Sequence, residues 1–227
     1  MTTEIGQAKK TTKTSAAILS IISNSLLISL KIVAGIFTGS VSILAEAIHS
    51  SLDLVAAVIA FLSVRMSDKP ADAGHPFGHG KIEGISGLIE ALLILVASGI
   101  IFYEAAMRLR TDSGIEFAEV GIGVMLVSIL VNILVSRRLY KVSHITDSLA
   151  LEADAGHLAA DVYSSLAVVA ALLIVRLTGV RIFDPVVAIC VGIYILKIVY
   201  DLLHKSYDML VDESLPLREQ TEIKACI

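Results

Sequence analysis

Residues 41–65 read VSILAEAIHSSLDLVAAVIAFLSVR. The run is long and apolar enough to cross a bilayer as one α-helix, for which about 20 residues suffice. Inside it stand Glu46, His49 and Asp53. A charged side chain in the middle of a span costs roughly 2.5–3.5 kcal/mol even on insertion scales, so each one needs a protein or water partner. Ser42, Glu46, His49 and Asp53 follow i, i+4, i+7 and i+11, which places them on one face of the helix. That stripe must face a bundle interior or a water-filled cavity, because the alternative is hydrocarbon. The stretch therefore implies a packed bundle of membrane helices.

The remaining sequence agrees. Of 227 residues, 56% are hydrophobic and only 18% charged, and the mean hydropathy of +0.81 exceeds what a water-soluble core absorbs. Apolar runs near 15–37, 41–65, 83–107, 117–136, 148–177 and 185–204 predict an all-α membrane protein of six transmembrane helices. The expected organisation is a cytoplasmic N-terminal tail over 1–14, the six-helix domain over 15–204 and a cytoplasmic tail over 205–227. The polar start and long first run, without a small-residue cleavage site, do not suit a cleavable signal peptide. An even number of crossings puts both termini on one side. Lys9, Lys10, Lys13, Arg65, Lys69, Lys81, Arg137, Arg138 and Lys141 flank that side, and only Arg108, Arg110, Arg176 and Arg181 the other, so both termini are placed in the cytoplasm. Net charge is −4 and tryptophan is absent, which excludes a nucleic-acid partner. Cys190 and Cys226 lie in an apolar run and a polar tail and suggest no disulfide.

A second stretch repeats the first. Glu46-Ala47-Ile48-His49 through Asp53 aligns without a gap on Asp154-Ala155-Gly156-His157 through Asp161. If the chain is two three-helix halves, the odd helix number makes them inverted repeats, with helices 2 and 5 as antiparallel neighbours. His49 with Asp53, and His157 with Asp161, then each form half of a site. Nitrogen and oxygen ligands at tetrahedral count suit zinc, with cobalt, iron and manganese as competitors. Two carboxylates also balance a divalent charge, and protonated imidazoles would balance the metal-free site, which makes metal-for-proton exchange chemically natural. Glu46 and Asp154, one turn away, are candidates for an ion or proton path. Taken alone, either histidine also suits a hydrogen-bonded packing role. An intramembrane metalloenzyme would need an open coordination position, and no HExxH motif is present, so enzymatic activity is not expected.

At these residues the chain resembles the cation diffusion facilitator family of divalent-metal transporters. Gly39-Ser40-Val41-Ser42-Ile43-Leu44-Ala45 leading to His49 and Asp53 resembles the family's helix 2 signature. His75-Pro76-Phe77-Gly78-His79-Gly80-Lys81-Ile82-Glu83 resembles its loop before helix 3, His157 and Asp161 its helix 5 half-site, and Phe183-Asp184-Pro185 with Gly192-Ile193-Tyr194 its helix 6. The resemblance implies a homodimeric exporter of divalent metal in the cell (inner) membrane, usually of zinc, driven by protons through alternating access. It implies a transport site of His49, Asp53, His157 and Asp161, a cytoplasmic loop metal site of Asp72, His75 and His79, and a dimer ion-pair lock of Lys81 and Asp212. Bacterial relatives often carry Asp where this chain has His49, and the two-His, two-Asp set resembles the zinc-preferring branch. Transport of Fe2+, Co2+, Cd2+ or Mn2+ by the same machine, and a non-transporting assembly or sensor subunit, stay open as alternatives. Most members continue into a cytoplasmic domain, of which residues 205–227 would be a stub.

Other polar residues have plainer readings. Lys31 is expected to snorkel or pair within the bundle, Asn24 and Asn132 to bond between helices, and Glu90 and Glu104 to face neighbouring helices or the interface. Asp201, His204, Asp208 and Asp212, at i, i+3, i+7 and i+11, suit a solvated cytoplasmic face.

Overall fold

In hydrocarbon a backbone N–H or C=O can bond only to the chain itself, so each apolar run closes into a helix. The computed structural model describes residues 2–38, 41–110, 119–178 and 182–212, with Ser214 and Gln220; a few helical side chains, those of Glu46 and His49 among them, lie outside the description. It contains α1 (Thr2–Thr38), α2 (Val41–Ser67), α3 (Ile82–Arg110), α4 (Glu119–Thr146), α5 (Leu149–Thr178) and α6 (Phe183–Val211), with no strand among the described residues. Among the described residues, α1, α2, α3, α4 and α6 contain segments long and apolar enough to cross a membrane.

The helices outrun the apolar segments. Residues 2–14, expected as a tail, extend α1, and residues 137–146, expected as a connection, complete α4. Helix α6 starts at Phe183 and continues to Val211 rather than ending at 204. Hydropathy marks only the part of a helix that sits in lipid; the helix itself continues until a stop signal. For α4 that stop is Asp147, in the left-handed region at φ 53°, followed by the Ser148 N–H donating to the Ser143 carbonyl at 3.1 Å, a Schellman-type end. Asp212 ends α6 likewise, at φ 57° with its N–H on the Asp208 carbonyl.

Helix α5 packs against all five other helices. Its position follows from its sequence, since Glu152, Asp154, His157 and Asp161 make it the helix least able to face lipid. Its apolar positions feed two cores. Ala150, Leu151, Ala155 and Leu158 pack with Ala16, Ala17, Val64, Val135, Leu139 and Val142 from α1, α2 and α4. Ala153 and Ala160 pack with Ala91, Ile94, Ile195, Val199 and Leu202 from α3 and α6. The counterpart pairs α1/α4, α2/α5 and α3/α6 are all in contact, as two inverted three-helix halves require. The α3–α6 pair is close because position 192 is glycine: a Cβ there would lie 2.9 Å from Phe102 Cζ.

One end of the bundle is tied by Glu83, 3% exposed. Its carboxylate accepts from Lys13 Nζ at 3.1 Å, Ser67 Oγ at 2.7 Å, Ser148 Oγ at 2.6 Å and the Ala150 N–H at 3.3 Å. Lys13 also approaches Asp68 at 3.8 Å. Four helices thus converge on one carboxylate at this end.

Candidate metal-binding site

Successive crossings of a bilayer alternate in direction, so α2 and α5, three crossings apart, lie antiparallel, and they are in contact. Asp53 of α2 and His157 of α5 meet between them, 6% and 5% exposed. His157 Nε2 and Asp53 Oδ1 are 3.1 Å apart. A carboxylate only accepts, so this bond places the proton on Nε2, the nitrogen a metal would take. Asp161, one turn further along α5, completes a set in which one ligand atom from each residue lies within 4.8 Å of the others. An ion at about 2.0–2.2 Å from each ligand fits with a small inward movement. His157 Nδ1 is buried with no hydrogen-bond partner, so the ring is oriented from its Nε2 side. The backbone carbonyl of Asp53 accepts from Asn24 Nδ2 at 3.4 Å, which ties α1 to the site.

The structure thus brings together three of the four residues expected to form the transport site, Asp53, His157 and Asp161. His49 and Glu46 lie within α2, with side chains outside the described residues. Asp154, one turn from His157 and fully buried, has neither carboxylate oxygen hydrogen-bonded. Its environment includes Ser20 of α1 and Glu90 of α3, also fully buried.

The loop between α2 and α3 gathers a second set. One ligand atom each from Asp72, His75 and His79 lies within 4.8 Å of the others. Asp72 Oδ1 accepts from the Gly74 and His75 N–H groups at 2.9 and 2.8 Å and meets His75 Nδ1 at 3.1 Å, while Oδ2 is 3.5 Å from His79 Nε2. The backbone N–H of His75, then its ring, holds the Asp72 carboxyl below the usual carboxylate range, so this ligand is ionised throughout the physiological range. Gly78, at φ 84°, makes the turn that carries His79 back toward Asp72.

Lys81 and Asp212 are paired at 2.8 Å, with Lys81 Nζ also donating to the Leu210 carbonyl at 3.0 Å, so the pair joins α3 to the end of α6 within one chain. Both side chains are more than half exposed, at 52% and 77%. Lys81→Ala is therefore expected to change thermal stability by less than about 1 kcal/mol. A double-mutant cycle with Asp212→Ala checks this. On the exposed face of α6, His204 Nδ1 lies 3.6 Å from Asp208, and Asp201, His204 and Asp212 are exposed, as expected of a solvated stripe.

Sequence reasoning gave Lys31 and Glu83 no site role. Lys31 lines a cavity of about 80 Å3 together with Asp53 and Asp161. Ser20, Asn24 and Lys31 share one face of α1 at i, i+4 and i+11, a stripe that could have pointed to it.

Fold and site together define a polytopic membrane protein with a cation-ligand set buried between antiparallel helices. Residues 17–211 match the cation efflux transmembrane domain, and the chain belongs to that family. It is 35% identical over 210 residues to a transporter of Synechocystis sp., covering 92% of this chain and 68% of that one. It is likewise 35% identical over 208 residues to the cation-efflux pump FieF of Citrobacter koseri, covering 92% and 69%. A transporter of Methanocaldococcus jannaschii is 31% identical over 199 residues, covering 88% and 70%. The protein is accordingly an integral, multi-pass membrane transporter of divalent cations, and its family is one of transporters rather than enzymes.

Proposed function

We propose that the chain exports zinc from the cytoplasm in exchange for protons, working by alternating access as a homodimer in the cell (inner) membrane. The observation that carries this reading is the His157–Asp53 hydrogen bond across α2 and α5, with Asp161 beside it. The proton on His157 Nε2 stands where a metal would bind, so metal and proton compete for one atom. With His49 as fourth ligand, the imidazole and carboxylate donors suit zinc better than manganese. Positive-inside placement puts the end tied by Glu83 in the cytoplasm, while the polar cavity beside Asp53 and Asp161 lies on the other side of the site. This arrangement corresponds to an outward-facing state, and the opposite state requires the Glu83 tie to open. Asp154 lies between that tie and the site, on the proton or ion path we assign with Glu46. The Asp72, His75 and His79 set, with Asp72 and His75 exposed, is a second metal site on the cytoplasmic loop.

Flux into proteoliposomes under an imposed pH gradient tests the proposal. Zinc uptake is expected to follow the gradient and to stop when an ionophore collapses it, with manganese moving at least about tenfold more slowly. Zinc flux indifferent to the gradient refutes the antiport, and equal manganese flux refutes the selectivity.

A further inference from the structure

Lys31 sits in α1 with 7% exposure, inside the span, and its Nζ donates to Ser50 Oγ of α2 at 2.6 Å. A lysine held in a membrane interior is costly and marks function by default. Among the described residues, the cavity that Lys31 lines has Asp53 and Asp161 as its other charged groups, with serine and asparagine, Asn24 and Asn132 among them, along the rest of its polar wall. About 80 Å3 holds a few waters at most, so the Lys31 side chain and the two carboxylates border one small polar space, in which charges are weakly screened. Its anchor, Ser50, is one turn from Asp53 on the side away from the Glu83 tie. Helix α1 likewise carries Lys31 beyond Asn24 in the direction leading away from Lys13.

We propose that Lys31 is a tethered counter-ion of the transport site, a role that rests on the site assignment above. Its ammonium offsets the paired carboxylates when the metal has left, so the empty site can change sides without two bare negative charges. When a divalent ion is bound, the same charge repels it from the side of the cavity and favours release there. A monovalent ion does not repay displacement of this ammonium, whereas a divalent ion at two carboxylates does, so Lys31 also contributes to valence selection. A neutral residue at position 31 is therefore expected to bind metal more tightly and turn over more slowly.

The test uses the full chain, purified and reconstituted, with zinc alone as probe. Lys31→Met is expected to bind zinc at least about tenfold more tightly than wild type and to lower its maximal flux at least about tenfold, with a lower KM. Lys31→Arg, which keeps the charge, is expected to bind as wild type does. Lys31→Gln, an amide able to keep the Ser50 bond, serves if the methionine variant does not fold, and is expected to bind more tightly in the same way. Wild-type affinity and flux in a folded neutral variant overturn the proposal. Asp161→Ala measured alongside separates the two claims: if it binds zinc as wild type does, the site assignment fails. If it loses zinc while the neutral Lys31 variant is unchanged, only the counter-ion role fails.

Discussion

Replacing His157 by alanine is expected to abolish zinc transport and to weaken zinc binding by more than about 100-fold, beyond the 10–100-fold that loss of an outer-sphere partner costs. The ring supplies the nitrogen ligand of a three-residue set otherwise made of the Asp53 and Asp161 carboxylates. Without it the described ligands are all oxygen, so discrimination against hard ions such as manganese should fall as zinc affinity falls. Alanine also leaves the carboxylate of Asp53, 6% exposed, without its His157 partner, at about 3–5 kcal/mol for a broken buried pair. Loss of folding must therefore be separated from loss of a ligand. His157→Asn keeps an N–H donor for Asp53, so it should retain most of the thermal stability while losing zinc. Calorimetric titration of that folded variant is decisive, and wild-type zinc affinity there would refute the assignment.

The second large effect lies at the end of the bundle tied by Glu83. Glu83→Ala is expected to destabilise the protein by about 3–5 kcal/mol, because it strands Lys13 and leaves Ser67 Oγ, Ser148 Oγ and the Ala150 N–H without their acceptor. Glu83→Gln keeps an acceptor oxygen but removes the charge facing Lys13, and should cost less. Because the tie joins α1, α2, α3 and α5 at one end only, its loss should also shift the population toward the conformation open at that end. Thiol labelling of a single cysteine placed at the buried Ala150, which bonds Glu83 through its backbone N–H, in a background lacking native cysteines, reads this out: faster labelling with Glu83→Gln is expected. An unchanged labelling rate would mean that Glu83 stabilises the fold without gating it.

The six spans, the antiparallel α2–α5 pair and the register of Asp53 with His157 and Asp161 were legible in the sequence because each rests on a local period against a large energetic background. An acid seven residues from another, with a histidine four before the second, repeats visibly when nearly everything around it is apolar. Helix ends were less legible. Hydropathy cannot see that residues 137–146 continue α4, since a helix leaving the bilayer loses its apolar signature but not its backbone hydrogen bonds. The stop at Asp147 is a backbone conformation with no composition signal. Glu90 could be read only as a residue facing a neighbour; that it lies in the environment of Asp154, both fully buried, depends on how α3 seats against α5.

Sequence by itself determined that this chain is a membrane helix bundle, which helices must hide their polar faces, and which residues could hold a divalent cation, because the cost of charge in hydrocarbon leaves few alternatives. Tertiary structure alone decided what those residues meet. Glu83 finds Lys13 across 70 positions and Ser148 across 65, and Lys31 comes to share a cavity with Asp53 and Asp161. Partners so distant are set by helix packing and crossing, which no local period encodes.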